Sequence, residues 1–299
     1  MKYFFSVQLI FVVLLFMSCS KDGARNNQFP PSTDSIYLDK VYAIDDLNND
    51  TVHVFSYTYD NQMRVINMED RTSAFTNPPA RSFSFYYVGN DTLPYKSVYV
   101  EQQSGGANTI TIFHFKDGNG RNLKDSIINS GLGGPNTYLL SQYEYDGNTR
   151  VYINHHVGNY ITPAAGFDIR RDTMILDNAG NLISGKRYMV NTSSGEWELS
   201  SMIDFSFDAY VSPFYILSNS SSLRYFSNGE PFFYQILNYN NPIGYNETYN
   251  INSSNPQNTH YNFINSYDAN GKLVSAEMDG THSNSPNDSG RLLFTYRAE

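Results

Sequence analysis

Cysteine, tryptophan and charge are all scarce in this chain. Of its 299 residues one is Cys and one is Trp, and charged residues make up only 16%. A lone cysteine excludes any internal disulfide. It also removes the Cys-rich zinc patterns, and none of the 6 histidines stands at a His-x-x-x-His spacing, so no metal site is expected. His155 and His156 are adjacent, and on a strand they point to opposite faces. Catalytic fingerprints with a fixed local spacing are missing: there is no Gly-x-Ser-x-Gly elbow, phosphate loop or dinucleotide signature, and no cofactor or catalytic residue is expected. Beyond the first 18 residues no long stretch keeps a 3.6-residue apolar period, so helices should be few.

What is present begins at the N-terminus. Met1-Lys2-Tyr3 is followed by an apolar run from Phe4 to Met17, broken only by Ser6 and Gln8. A basic start, a short apolar core and a small residue before the cut are the marks of a secretory signal. The run is too short for a spanning helix, which needs roughly 20 apolar residues. Phe16-Met17-Ser18-Cys19 resembles the lipobox of bacterial lipoproteins, with Phe16 where that pattern prefers Leu. The resemblance implies cleavage before Cys19 and lipid on its sulfur. Residues 1–18 are then a signal peptide and 19–37 a flexible polar tether. Residues 38–299 form a single domain, held on the outer membrane only by the lipid. Only Asp22 matches the acidic export signal of surface lipoproteins, which leaves the periplasmic and surface faces open.

Removal of residues 1–18 takes only Lys2 from the charged residues, so the net charge of −9 becomes −10. An acidic chain is a poor partner for nucleic acid or anionic lipid. Aromatics reach 15%, with 25 Tyr and 20 Phe, which favours strands over disorder.

The aromatics recur in a pattern. Tyr57-Thr58-Tyr59-Asp60, Phe113-His114-Phe115-Lys116-Asp117, Tyr143-Glu144-Tyr145-Asp146, Met174-Ile175-Leu176-Asp177, Phe205-Ser206-Phe207-Asp208 and Ser266-Tyr267-Asp268 each lead into a turn and a new apolar residue. The aspartates stand 29 or 31 residues apart, or about twice that. Gly89-Asn90-Asp91 and Tyr239-Asn240-Asn241-Pro242 supply turn residues near the middle of the two long gaps. A fixed period of this length is the mark of repeat architecture. Thirty residues hold two strands of about ten residues and two turns, so the domain predicts about sixteen antiparallel strands. A sheet that wide should curl into a large barrel or a rolled sheet. The expected fold class is therefore all-β, a long antiparallel meander of hairpin repeats.

The Tyr-Asp-x-x-Gly-Arg/Lys-Leu units resemble the YD-type repeats of large bacterial surface proteins. Phe205-Ser206-Phe207-Asp208 with Ser212-Pro213-Phe214, and Asn240-Asn241-Pro242-Ile243, resemble lipoproteins of the Bacteroidota in a family described as having a porin-like fold. That resemblance implies a fold and an address, and carries no catalytic residue. Literal insertion in a membrane is not expected. Thr51–Tyr59 and Thr109–Phe115 mix Ser, Thr and His into the strand pattern, where a lipid-facing strand would show an unbroken apolar face. A water-soluble barrel or roll is the expectation.

Three local features remain. Asp followed by Ser or Thr and then an apolar residue occurs at Ser35, Thr51, Thr92, Ser126 and Thr173, where composition predicts about one such triplet. The pattern resembles the O-glycosylation motif of exported Bacteroidota proteins; it equally suits a turn handing over to a strand. Asp117-Gly118-Asn119-Gly120 and Asp45-Asp46-Leu47-Asn48-Asn49-Asp50 offer oxygens but lack the closing Glu of a calcium loop. Trp197 suits either sugar stacking or a strand core. The leading functional reading is a non-enzymatic module that binds a glycan, peptide or protein. The alternatives are a barrel carrying an apolar ligand in its lumen, or a glycoside hydrolase with two facing carboxylates.

Overall fold

The computed structural model describes residues 37–45, 49–72, 78–118, 120–131, 136–159, 167–191, 193–213, 239–253, 256–283 and 285–297. Cys19, Ser35 and the tether lie outside them. Among the described residues the chain forms sixteen strands. They are β1 Leu38–Asp45, β2 Asp50–Tyr59, β3 Val65–Arg71, β4 Arg81–Tyr86, β5 Lys96–Gln103, β6 Gly106–Lys116, β7 Asn122–Ser130 and β8 Thr137–Asp146. The second half continues with β9 Arg150–Asn159, β10 Phe167–Leu176, β11 Leu182–Val190, β12 Trp197–Val211, β13 Asn240–Tyr249, β14 Gln257–Tyr267, β15 Leu273–His282 and β16 Ser285–Tyr296. Each strand pairs antiparallel with its neighbours in sequence, and β1 pairs with β16 to close the barrel.

Four of the expected aspartate turns are built alike. At Asp60, Asp117, Asp177 and Asp268 the backbone N–H donates to the carbonyl four residues on at 2.9 Å, and the residue three on donates back to the Asp carbonyl at 3.0 Å. The Asp Oδ1 also accepts from the N–H four residues on, at 2.8–2.9 Å. This is a type I turn closed by a bulge, and the third residue after Asp must take positive φ. Glycine fills that place at Gly120, Gly180 and Gly271, with φ of 80°, 90° and 76°; Met63 fills it in the first turn at φ 60°. The turns join β2–β3, β6–β7, β10–β11 and β14–β15, so they gather at one rim of the barrel. The chain enters and leaves at this rim, where Arg297 N–H donates to the Tyr37 carbonyl at 2.9 Å.

Two turn assignments from the sequence do not hold. Asp208 lies within β12, where its carboxylate accepts from Asn265 Nδ2 at 3.0 Å and from the Tyr267 hydroxyl. Asn240–Pro242 open β13, and Asn240 and Asn241 are buried. Asn240 Nδ2 donates to Tyr210 O and its N–H to Asn181 Oδ1, so the amides anchor a strand end. Asn and Pro read as turn residues because their side chains so often satisfy a local backbone; here they satisfy a distant one.

Along β2 to β7 in particular, alternate residues point inward and are buried. Phe55, Leu38, Met68, Ile153 and Leu182 are fully sealed from water, and Phe83, Ile112 and Met174 nearly so. Burying side chains of this size contributes roughly 1.5–3 kcal/mol each. A round sixteen-stranded barrel would hold a water-filled channel, yet water does not reach these inner side chains. Close packing also explains Gly280: the ring of Tyr261, its direct partner across β14 and β15, occupies the place a Cβ would take.

Candidate functional site

The inner wall also carries charge, arranged in rows of directly opposed residues. On β3 to β6, Asp70 faces Arg81, Arg81 faces Glu101, and Glu101 faces Asn108. Arg81 Nε donates to Glu101 Oε1 at 3.0 Å, and His53 Nδ1 lies 2.8 Å from Asp70 Oδ1. The second row crosses β6 to β10 as His114, Asp125, Ser141, His155 and Arg170. His114 Nδ1 lies 2.7 Å from Asp125 Oδ1, and its Nε2 lies 3.1 Å from Ser97 Oγ. The Tyr143 hydroxyl donates to the other Asp125 oxygen at 2.5 Å. His155 Nδ1 lies 2.9 Å from Ser141 Oγ and its Nε2 3.1 Å from Asp172 Oδ2. Asp172 further pairs with Arg170 Nε at 3.2 Å and Arg187 Nε at 3.1 Å.

Electrostatics fixes the state of this second centre. Burial pushes the His155 imidazole down from 6.5 to about 4, and the adjacent Arg170 guanidinium pushes the same way. The ring is therefore neutral at pH 7. Its Nε2 lies between Asp172 Oδ2 and Arg170 Nη2, the latter at 2.9 Å, and its Nδ1 faces the Ser141 hydroxyl. Burial alone would raise Asp172; the guanidiniums of Arg170 and Arg187 outweigh it and hold the carboxyl well below the usual range. Such a group is ionised, paired and sealed.

Ser97–His114–Asp125 has the atom order of a hydrolytic triad, with Ser on Nε2 and Asp on Nδ1. Ser141–His155–Asp172 repeats the residue types with the ring nitrogens exchanged. A triad also needs an accessible nucleophile and backbone donors aimed at the developing oxyanion. Ser97 is 4% exposed and Ser141 0%. Both lie on strands flanked on either side by a paired neighbour, whose ladders engage the backbone N–H groups. The two centres hydrogen-bond buried polar groups to one another and tie neighbouring strands together.

The outer wall is of another kind. In mid-strand it presents exposed Gln142, Lys186, Asp204, Asn246, Asn262 and Glu277. Asn246 Oδ1 and His260 Nδ1 are hydrogen-bonded across β13 and β14 on this face. A wall facing lipid carries an apolar band at this height and a polar interior; this barrel has the opposite distribution.

The residues singled out from the sequence are dispersed. Thr51, at the start of β2, and Thr92, between β4 and β5, are exposed. Ser126 and Thr173 are half-buried, the residues following the inward Asp125 and Asp172. At those two places the Asp serves the inner charge rows. His155 is buried and His156 half-buried, as alternation on β9 requires. The Asp117 carboxylate is engaged by Arg121, whose Nε donates to it at 2.8 Å, so it closes a hairpin. Asp46 to Asn48 lie outside the described residues. Trp197 is half-buried at the start of β12, with the Arg171 guanidinium 4.1 Å over its ring, so it belongs to neither a deep core nor an open platform. Sequence reasoning missed the His–Asp pairs. A usable trace exists: His53, His114 and His155 share the inward phase of Phe55, Ile112 and Ile153.

The architecture defines a class: a closed sixteen-stranded antiparallel meander of the porin-like kind. A porin-like protein from Bacteroides vulgatus is similar, with a TM-score of 0.50 and 13% identity over 88% of this chain and 100% of that one. A porin-like protein from Bacteroides uniformis gives a TM-score of 0.39 and 12% identity over 89% of this chain and 99% of that one. At 13% identity the likeness to the Bacteroides vulgatus protein concerns the fold alone. No family model and no curated protein matches the chain.

Proposed function

We propose that this chain is a lipid-anchored envelope protein whose barrel faces water and binds a glycan, peptide or protein on its outer wall. The distribution of polar groups carries the reading. Both Ser–His–Asp centres are sealed inside, while the accessible wall offers Asn246, Asn262, His260 and neighbouring hydroxyls. Asn and Tyr suit adaptable recognition because they combine hydrogen bonding with little conformational freedom to lose. Lipid on Cys19 is the attachment, and Thr51 and Thr92 are the places where an O-glycan would stand clear of the wall.

The apolar-carrier reading finds little support, because the inner side chains are shielded by packing. A glycoside hydrolase needs a free pair of facing carboxylates, whereas the buried Asp70, Asp125 and Asp172 are each engaged by a histidine. The test is a glycan and peptide screen with the purified protein. The expected ligand tolerates Ser97→Ala and Ser141→Ala and is lost with Asn246→Ala or Asn262→Ala. A screen without hits, or turnover abolished by Ser97→Ala, contradicts the reading. Intact-mass analysis of native protein reads lipid and glycan together: no excess beyond the lipid removes the glycan, and no lipid removes the anchor.

A further inference from the structure

Exposed large apolar side chains are unevenly placed on this barrel. Tyr86, Val88, Tyr95, Phe115 and Leu123 form an arc over β4 to β7 at the aspartate-turn rim. A second group, Ile183, Tyr210, Ile243 and Val274, lies near the same rim on β11 to β13 and β15, whereas Ile264, 62% exposed, stands in mid-strand opposite Glu277. Among the described residues, Met189, Met202 and Ile264 are the exposed large apolar side chains away from this rim. Basic groups are interleaved with the collar: Lys96 Nζ lies 3.9 Å over the Tyr86 ring and Lys124 Nζ 4.6 Å over the Phe115 ring. An apolar collar with amphipathic rings and long cationic side chains matches the chemistry of a bilayer interface.

The same rim receives the chain from Cys19. Eighteen residues, 19–36, precede Tyr37. A coil of that length spans roughly 23 Å on average, and an extended one at most ~60 Å. Lipid at Cys19 thus holds this rim, rather than the opposite one, near the bilayer and at high effective concentration. Rim aspartates such as Asp91, Asp146 and Asp268 offset the lysines, so a neutral bilayer suffices and anionic lipid is not required.

We infer that the collar rests in the headgroup layer of the membrane, so that the barrel stands on the bilayer by its aspartate-turn rim with the outer wall and far rim free. This rests on the lipid-anchored reading. The geometry supplies its own reporters. Trp197, the only tryptophan, begins β12 at the far rim. A Phe115→Trp, Trp197→Phe protein moves that reporter into the collar.

The test uses the chain from residue 19 with Cys19→Ala, which keeps all sixteen described strands. Neutral phosphatidylcholine vesicles carrying brominated acyl chains are the probe. The collar tryptophan should be quenched and Trp197 should not. Phe115→Ser with Leu123→Ser should lower the vesicle-bound fraction about tenfold, while the Trp197→Phe background alone leaves it unchanged. Quenching of Trp197, equal binding by the serine variant, or a collar-dependent dimer without vesicle binding overturns the proposal. Lipid mass on native Cys19 is measured separately. Lipid present without collar binding sinks the collar alone, and lipid absent sinks the anchor.

Discussion

Asp172 and Thr173 are neighbours in the chain and lie on opposite faces of β10. Asp172 is sealed against two guanidiniums and an imidazole, whereas Thr173 is half-buried on the outer wall. The contrast extends round the barrel. Charge on the inner wall is buried, paired and directional; charge on the outer wall, as at Asp204 and Glu277, is exposed. The same residue type therefore has different energetic weight according to the parity of its position. A buried pair gains little over an apolar replacement of both partners, but removing one partner strands the other. An exposed charge can usually be lost with little effect.

The largest effect expected from that contrast is at Asp172. Asp172→Leu leaves Arg170 and Arg187 buried without their counter-charge and should destabilise the barrel by about 3–5 kcal/mol, read as a fall in the urea midpoint. A change below about 1 kcal/mol would mean that water reaches the inner wall.

Acid should weaken the protein through the same centre. The unfolded chain protonates His155 near 6.5, and the folded chain only at about 4. The unfolded state thus binds more protons over that interval, and stability falls as pH drops from 6.5 to 4, by on the order of 3 kcal/mol. Asp172, whose folded pKa is depressed, contributes stability above the usual carboxylate range and loses it at still lower pH. Denaturant titration across pH should show the upper limb flattened in His155→Gln.

Asn122 sharpens the comparison in the other direction. It stands five residues after Asp117, where the matching turns place Val65, Leu182 and Leu273, all buried. Asn122 is 2% exposed, and neither polar atom of its side chain has a hydrogen-bond partner among the described residues. Asn122→Leu should stabilise the barrel by about 1–2 kcal/mol in the same denaturation assay. At the small end, Glu277→Ala on the outer wall should change stability by less than about 0.5 kcal/mol.

Much of the fold was legible because its cues are local. Aspartate, two further residues and a glycine specify the bulged turn at Asp117, Asp177 and Asp268, and alternation of Tyr and Phe specifies which face is buried. Asp208 and Asn240–Pro242 defeated that reading because their side chains satisfy residues distant in sequence, such as Tyr267 and Asn181. The inner charge rows were hidden for a similar reason. His53 and Asp70 are 17 residues apart, and His114 and Asp125 are 11 apart. These separations become contacts only through the register of long hairpins. Asp125-Ser126 and Asp172-Thr173 did stand out as a repeated dipeptide, and the structure divides it: the aspartate serves the inner wall and the hydroxyl residue the outer. The apolar rim groups were also illegible, since single exposed apolar residues near strand ends come together only through the pairing of the strands.

The central claim is that the accessible wall is the polar one. Its most direct test is sedimentation of the chain from residue 19, with Cys19→Ala, in buffer without detergent. The account predicts a folded species with a β-type circular dichroism spectrum, staying in solution when no vesicles are added. A chain that aggregates until detergent is supplied, and folds only then, would show that the outer wall belongs in lipid.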